Sequence, residues 1–226
     1  MNNQILVSGK KQVVVVGLGR FGSSVAAALY NLGHDVLAMD LNSDRVQDIM
    51  GQVTHPVSGD GTNETVLKEL GVPDYDAAVI SVGSDVVSSV LTCVLLKTMG
   101  LDYIVARAHD SLHGNALERI GVDKIIHPEE EMGVRLAHNL FNPNLQEYMG
   151  LGPNYGFSRM SIPESFSNKT LKELGFSGPR GKYGLAVLAI KRGQEVTLNP
   201  DSDDILETGD VLVLAGKDDL LERLPL

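Results

Sequence analysis

A glycine-rich turn that follows a strongly apolar segment is the feature that most constrains the fold of this chain. Gln12–Val16 is a run rich in β-branched residues, typical of a parallel strand buried on both faces. It leads directly into Gly17-Leu-Gly19-Arg-Phe-Gly22, with the spacing Gly-x-Gly-x-x-Gly. In such a turn Gly17 permits a tight bend, Gly19 lets a phosphate approach the backbone, and Gly22 allows close packing of helix on strand. The pattern predicts a Rossmann-type strand–turn–helix unit.

Asp40 supports a nucleotide at this turn. It follows the second predicted strand, and an acidic residue about 20 positions after the glycines is expected to hold ribose hydroxyls. The backbone N–H groups of the turn and the helix N-terminus attract phosphate. Glycines that serve only a tight turn are the alternative, which does not account for Asp40. We therefore predict that an adenine nucleotide binds at the first strand-to-helix turn.

The first 127 residues alternate predicted strands and helices with short connections. The predicted strands are Gln12–Val16, Asp35–Met39, Val53–Val57, Ala77–Val82, Tyr103–Ala106 and Asp123–Ile126. The predicted helices between them are Phe21–Leu32, one from Asn42 or Ser43 to about Met50, Thr62–Leu70, Asp85–Met99 and Ser111–Ile120. Six strands joined by helical crossovers predict an α/β fold, a doubly wound parallel Rossmann sheet. Pro128 then begins a predicted crossover helix.

The sequence pattern changes after this helix. We place a nucleotide-binding domain at residues 1–142, an irregular linker rich in proline and glycine at 143–156, and a smaller α+β domain at 157–226. In the smaller domain Thr170–Leu174 is predicted as a short helix. Gly184–Ile190 and Gln194–Leu198 are predicted as a hairpin. A domain of about 70 residues is marginal alone, which favours dimerisation through it.

Further polar residues follow the other predicted strands at the edge where parallel sheets hold ligands. Asp60 and Gly61 follow the third strand, where an adenine would lie; an Asx turn before a capped helix explains them equally well. Ser81 and Gly83 end the fourth strand. Arg107 ends the fifth and is a candidate for a terminal phosphate.

Three charged features have two interpretations each. Arg20, inside the glycine turn, can bind phosphate or a partner's carboxylate, or be a solvated surface residue. Glu129 begins three glutamates in the first turn of a helix, where they complement the helix dipole or hold a divalent cation. His109 and His113 have the i, i+4 spacing of a metal pair, but no third ligand is apparent.

Composition excludes several classes of function. The formal net charge of -10, without a cluster of Lys and Arg, argues against nucleic-acid binding. An acidic chain is also repelled by anionic lipid, so membrane association would go through a protein partner. The single cysteine, Cys93, excludes an intramolecular disulfide and fits the reducing cytoplasm.

The chain has none of the motifs of the common enzyme classes that use such a fold. No Tyr-x-x-x-Lys pair, Gly-x-Ser-x-Gly, P-loop or Cys–His arrangement is present, and residues 157–226 contain no histidine. The nucleotide is therefore predicted to be an effector and the protein not to be an enzyme. An NAD-dependent oxidoreductase stays open as the alternative.

Several stretches together resemble a known family. They are VVVVGLGRFGSSVAAAL, AMDLN with Arg45 close behind, VSGDGTNETVLKELGV, ALERIGVDKIIHPEEEMGVRLAHNL and KRGQEVTLNPDSDDILETGDVLVLAG. They are similar to the bacterial Trk/Ktr potassium-uptake regulatory subunits, which are built from RCK domains that regulate potassium conductance. The pair Arg20-Phe21 within the glycine turn and the His127-Pro128-Glu129 sequence are the more specific parts of the match.

The resemblance implies ATP, ADP or NAD(H) in the glycine cleft. It places Asp40, Asn42 and Arg45 at the ribose and its surroundings, Asp60 with Gly61 at the adenine, Ser81 to Gly83 beside the phosphates, and Arg20 at the terminal phosphate across a dimer interface. Arg107 stands where the family often carries a lysine. Glu129 matches a carboxylate associated with a divalent cation in some members.

The resemblance also implies partners. The family forms octameric rings that dock on the cytoplasmic side of a potassium-translocating membrane subunit, and nucleotide exchange gates that subunit. Some relatives bind cyclic di-AMP across a dimer of the C-terminal domain; no residues of this chain are assigned to it. A nucleotide sensor of the same architecture that acts on another partner is a further alternative.

Overall fold

The computed structural model describes residues 9–83, 85–140, 145–178, 181–222 and 224. The chain divides into two compact units, Met1–Pro128 and Glu129–Leu226. Each unit has its own sheet and its own hydrophobic core.

The first unit is built on six parallel strands. They are β1 (Gln12–Val16), β2 (Asp35–Asp40), β3 (His55–Ser58), β4 (Ala77–Ile80), β5 (Ile104–Arg107) and β6 (Lys124–Ile126). Their order in the sheet is β3-β2-β1-β4-β5-β6. This is the Rossmann order, in which the direction of winding reverses between β1 and β4. The predicted α/β class is confirmed.

Five helices connect these strands. They are α1 (Arg20–Asn31), α2 (Ser43–Asp48), α3 (Glu64–Glu69), α4 (Val86–Thr98) and α5 (Ser111–Ile120). The side chains of Asn42, Asn63, Asp85 and Asp110 cap α2, α3, α4 and α5 by accepting N–H groups of the first turn. The cap at Asn63 explains why α3 begins two residues after the predicted Thr62.

Strand β1 runs through the centre of the core. Val14 and Val16 pack in one apolar cluster, and Val13 and Val15 in another, so alternate side chains of the strand reach opposite faces of the sheet. All four valines are buried, which explains the unbroken apolar run in the sequence. Cys93 lies in the first of these clusters, where burial raises the pKa of its thiol to about 12.

The second unit contains a five-stranded antiparallel sheet and, among its described residues, two α-helices. Its elements are α6 (Pro128–Asn139), β7 (Leu145–Gly152), β8 (Tyr155–Ser161), β9 (Ala186–Arg192), β10 (Glu195–Leu198), β11 (Val211–Lys217) and α7 (Asp218–Glu222). The first residue of α6, Pro128, is the last residue of the first unit. The strand order is β10-β9-β11-β8-β7. The hairpin of β9 and β10 is as predicted.

The predicted linker at 143–156 is wrong over its described residues, 145–156. Strand β7 pairs with β8 in antiparallel register, and Asn154 turns the chain with a φ of +61°. The glycines that indicated a linker serve this hairpin: the Tyr148 ring lies where a Cβ on Gly156 would be. The predicted boundary at residue 142 likewise differs from the division at Pro128.

The predicted helix at Thr170–Leu174 is also wrong. Thr170 instead forms an isolated antiparallel bridge with Ile205, and residues 171–175 form turns. The Glu173 carboxylate accepts the Thr170 N–H at 2.8 Å, as in a capping box, but no helix follows.

An internal ion pair explains the Gly-Asp sequence before β11. Asp210 is 1% exposed, and its carboxylate accepts hydrogen bonds from Arg192 Nε at 2.9 Å and Arg192 Nη2 at 2.8 Å. The Glu207 N–H donates to the same carboxylate at 2.8 Å. Burial opposes the ionised form of Asp210, but these hydrogen bonds outweigh it and lower its pKa. Asp210 thus links the turn before β11 to β9 through its hydrogen bonds with Arg192.

His113 is the buried polar side chain at the start of α5. It is 2% exposed, and its Nδ1 accepts the backbone N–H of His109 at 3.1 Å. Asp110 caps the helix by accepting the His113 N–H at 2.8 Å. Nε2 is buried and has no hydrogen-bond partner among the described residues. Burial lowers the pKa of His113; the nearby Asp110 carboxylate opposes this effect, and His109 and His127 add to it.

We expect the free energy of unfolding to fall as the pH drops below about 6.5 toward the lower folded-state pKa of His113. In this range the unfolded chain binds a proton that the buried imidazole resists, which contributes a slope of up to about 1.4 kcal/mol per pH unit. Urea unfolding followed by circular dichroism measures the slope. His113→Asn keeps a hydrogen-bond acceptor near the His109 N–H, and its slope should be shallower than that of the wild type.

The control is His55→Asn, because His55 is exposed on β3 and outside this cluster. Its slope should match that of the wild type. Equal slopes for His113→Asn and the wild type would contradict the assignment.

Candidate functional site

A cleft of about 890 Å³ opens at the carboxyl edge of the parallel sheet, where the direction of winding reverses between β1 and β4. It brings together most of the predicted site residues: Gly17, Gly19, Arg20, Asp40, Asn42, Arg45, Asp60, Gly61, Ser81, Gly83 and Arg107. Phe21 and Gly22 do not line it. All lining residues belong to the first unit.

The glycine turn joins three strands. The Gly17 N–H donates to the Met39 carbonyl at 2.8 Å, and the Ser81 hydroxyl donates to the Gly17 carbonyl at 2.9 Å. Gly17 has a φ of +93°, and a Cβ there would lie 2.9 Å from the Ser81 carbonyl carbon. Both its backbone conformation and the closeness of β4 therefore require glycine at this position.

Gly22 and Gly19 differ in what requires them. A Cβ on Gly22 would collide with the Gly17 carbonyl oxygen and the Ser81 hydroxyl, so Gly22 permits the close packing of α1 on the sheet. A Cβ on Gly19 would meet no atom within 4 Å, and its φ of -68° and ψ of -178° are open to any residue. No contact within the described structure requires a glycine at position 19.

Helix α1 also differs from α2 to α5 at its first turn. Gly19 is its N-cap and supplies no side-chain hydrogen bond, whereas a side chain caps each of the other four helices. As in α4 and α5, no acidic residue occupies the first turn of α1. The N–H groups of this turn and the positive end of the helix dipole therefore face the cleft without an acidic or capping side chain. Such a terminus is suited to an anion.

The Asp40 carboxylate holds the turn in place. It is 8% exposed; Oδ2 accepts the Leu18 N–H at 2.6 Å, and Oδ1 accepts the Asn42 N–H at 2.8 Å. Arg45 Nη1 donates to Oδ2 at 3.3 Å. Sequence reasoning missed this positioning role, because the Leu18 N–H is brought to Asp40 only by the pairing of β1 with β2. Any ribose hydroxyl must use the lone pairs that these bonds leave.

The residues predicted to contact the adenine, Asp60 and Gly61, follow β3, which pairs with β2. Asp60 Oδ1 accepts the Thr62 N–H at 2.8 Å and the Thr62 hydroxyl at 2.7 Å, which is the Asx turn of the alternative interpretation. A Cβ on Gly61 would lie 2.6 Å from Val16 Cγ1, so the chain approaches β1 closely here. Both residues nevertheless line the cleft.

The opposite half of the cleft lies between β4, β5 and the first turns of α4. The Arg107 guanidinium occupies the space that a Cβ on Gly83 would need. Ser88, Thr92 and His109 also line the cleft and were missed by sequence reasoning. The i, i+4 spacing of Ser88 and Thr92 on a largely apolar helix is a signal that could have identified these two residues.

Asp85, Ser88 and Thr92 at the start of α4 are linked by hydrogen bonds. The Asp85 carboxylate accepts the Ser88 N–H at 3.0 Å and the Ser88 hydroxyl at 2.6 Å, and these bonds lower the pKa of Asp85. The Thr92 hydroxyl donates to the Ser88 carbonyl at 2.8 Å.

The structure does not form the metal pair suggested by His109 and His113. Asp110 caps α5, so His109 precedes the helix, and the Nδ1 of His113 is occupied by the His109 N–H. Glu129 lies in the first turn of α6, in the second unit. Within the described parts of the chain, no three or more His, Cys, Asp or Glu side chains form a group that could hold a metal ion.

No helix within the described ranges is both long enough and apolar enough to span a bilayer.

Comparison with known proteins gives matches along most of the chain. Residues 13–128 match the TrkA-N domain and residues 158–224 the TrkA-C domain. The chain is 36% identical over 207 residues to Ktr system potassium uptake protein C of Bacillus subtilis, covering 92% of each chain. It is 35% identical over 214 residues to Ktr system potassium uptake protein A of Vibrio alginolyticus, covering 95% of this chain and 96% of that one.

A solved structure shares the fold. The GsuK channel bound to NAD aligns with a TM-score of 0.62 and 17% identity, over 98% of this chain and 39% of that chain. The matching domains and the relatives of equal length agree with the resemblance seen in the sequence. The chain therefore belongs to the Trk/Ktr potassium-uptake family, with a TrkA-N domain followed by a TrkA-C domain.

Proposed function

We propose that this protein is a nucleotide-binding regulatory subunit of a potassium uptake system. Its similarity to the Ktr potassium uptake proteins over 92% of their length supports a role in potassium uptake. Translocation itself is proposed to be carried out by a membrane partner. We propose that the chain acts at the cytoplasmic face of the membrane through this partner, and that it is not an enzyme.

The observation that carries nucleotide binding is the glycine at position 19. Neither its backbone conformation nor a neighbouring atom requires glycine, and the side chain that caps each of the next four helices is missing here. A group from outside the chain that approaches this backbone closely accounts for both facts. A phosphate fits, because it accepts the N–H groups of the helix terminus and carries the charge that the helix dipole favours.

We propose ATP and ADP as the ligands, with NAD(H) as the second candidate. The Asp40 carboxylate beside the cleft suits the ribose of either nucleotide and repels a 2′-phosphate. Arg20 is exposed in the first turn of α1, and Arg107 lines the opposite half of the cleft. These guanidinium groups favour a ligand with a further phosphate over one with an uncharged nicotinamide riboside.

A switch requires that ATP and ADP bind two forms of the protein with different affinity. We propose that the γ-phosphate supplies this difference by contacting Arg20 of a neighbouring copy in a homo-oligomer. The oligomer is proposed to be an octameric ring with dimers formed through the second unit. A divalent cation at Glu129 and cyclic di-AMP at the second unit are further proposals drawn from the family resemblance.

Gly19→Ala should weaken binding of ATP and ADP at least about tenfold, because the added methyl group occupies the space where the phosphate meets the backbone. The fold should be kept, since the Cβ meets no protein atom within 4 Å, and the melting temperature should fall slightly because alanine is a poorer N-cap than glycine. Isothermal titration calorimetry measures the affinity, and thermal unfolding measures the stability.

The matched control is Gly133→Ala in α6, where a Cβ likewise meets nothing within 4 Å. This variant should bind nucleotides as the wild type does. Unchanged affinity in Gly19→Ala would show that phosphate does not approach the turn.

The role in transport is tested in cells that lack their own potassium uptake and carry a Ktr-type membrane subunit. Adding this chain should increase uptake from dilute potassium, and the Gly133→Ala variant should act equally. Gly19→Ala should lose most of the increase, because its nucleotide site is blocked. Uptake that does not depend on the chain would contradict the proposal, and co-purification with an unrelated membrane protein would point to another partner.

A further inference from the structure

We propose that His109 is a proton-linked contact for the terminal phosphate of a bound nucleoside triphosphate. This inference rests on the proposed nucleotide binding and adds a residue and a pH dependence to it. The observation behind it is a fixed backbone that places an exposed imidazole at the β5 end of the cleft.

The backbone of His109 is fixed by the residue four positions later. Its N–H donates to the buried His113 Nδ1 at 3.1 Å, and the next residue, Asp110, accepts the His113 N–H at 2.8 Å. The hydrogen bond to His113 thus positions the backbone of His109, while the His109 side chain is exposed and lines the cleft. Because the backbone is already held, this segment loses less conformational entropy when a ligand binds to the imidazole.

The imidazole of His109 is available to a ligand. Among the described residues this imidazole has no hydrogen-bond or ion-pair partner, whereas the hydroxyl groups of Ser88 and Thr92, which also line the cleft, each have a hydrogen-bond partner. The Ser88 hydroxyl donates to Asp85 at 2.6 Å and the Thr92 hydroxyl donates to the Ser88 carbonyl at 2.8 Å. The groups in this half of the cleft that can add positive charge are therefore Arg107 and a protonated His109.

The length of the ligand decides which phosphate reaches this half. In a Rossmann cleft the phosphate next to the adenosine lies at the glycine turn, and the ligand continues from β1 across β4. Beyond Gly83, which follows β4, the lining comes from Arg107 on β5 and then His109. A triphosphate extends further in this direction than a diphosphate or monophosphate, so the contact is assigned to the terminal phosphate of ATP.

Charged groups lie on the elements that adjoin His109. They are Arg107 on β5, Asp85 at the start of α4, Asp110 and His113 at the start of α5, and His127 after β6. The Asp85 and Asp110 carboxylates are engaged by N–H groups of their helices. A bound phosphate adds negative charge beside His109, so binding promotes protonation and protonation promotes binding.

Histidine suits such a contact because its ordinary pKa lies near neutral pH. A neutral imidazole donates one hydrogen bond to phosphate, and the protonated ring makes a charge-assisted one. We expect the advantage of wild type over His109→Gln in ATP affinity to grow about fivefold as the pH falls from about 7.5 to about 6. For AMP this advantage should stay constant with pH.

Calorimetry of the full-length protein in buffers of different ionisation enthalpy counts the protons taken up on binding. Wild type should take up more protons with ATP at neutral pH than His109→Gln does. Comparison of variant with wild type removes the titration of ATP itself, which is the same in both. His109→Lys keeps a fixed positive charge and should bind ATP tightly across the same pH range without extra proton uptake.

The control is His55→Gln, an exposed histidine on β3 outside the cleft, which should behave as wild type. Equal proton uptake by wild type and His109→Gln, with ATP still bound, would overturn this inference and leave nucleotide binding intact. Failure of wild type to bind any adenine nucleotide would overturn the inference together with the proposed function.

Discussion

The hydrogen bonds of the Asp40 carboxylate hold together the part of the protein on which the candidate site depends. One oxygen binds the Leu18 N–H at 2.6 Å inside the glycine turn, and the other binds the Asn42 N–H at 2.8 Å before α2. Together with the bond from the Ser81 hydroxyl to Gly17, they fix the turn to the ends of β2 and β4. Charge-assisted bonds of this kind are strong where water is excluded. The N-terminus of α1 is therefore already positioned before any ligand binds.

This preorganisation has a cost that a ligand can offset. Four helices of the first unit have a side chain that caps their first turn, and α1, which begins at the cleft, has none. A glycine N-cap makes a helix less stable than an asparagine or aspartate cap does, by roughly a few tenths of a kcal/mol. A bound phosphate accepts hydrogen bonds from the N–H groups of this first turn, and it thereby stabilises α1. Nucleotide binding and the stability of the first unit are linked for this reason.

Much of this arrangement could be predicted from the sequence because its signals are local. The valines of β1, the spacing of Gly17 to Gly22 and the acidic residue after β2 each express a constraint within a few residues of chain. The linker prediction failed because Gly150, Pro153 and Gly156 look the same in a hairpin as in a linker, and only pairing with β8 distinguishes the two. The second role of Asp40 and the place of His109 in the cleft also depend on contacts between distant segments, which no local pattern records.

The central claim is that the cleft binds the phosphates of an adenine nucleotide and distinguishes ATP from ADP through Arg20. Calorimetric titration of wild type and Arg20→Ala with ATP and with ADP tests it most directly. Wild type should bind ATP more tightly than ADP. In Arg20→Ala the ratio of ATP affinity to ADP affinity should be smaller, and the ADP affinity itself should change little, because only the γ-phosphate contact is lost. An ATP-to-ADP ratio that is the same in both proteins would contradict the account.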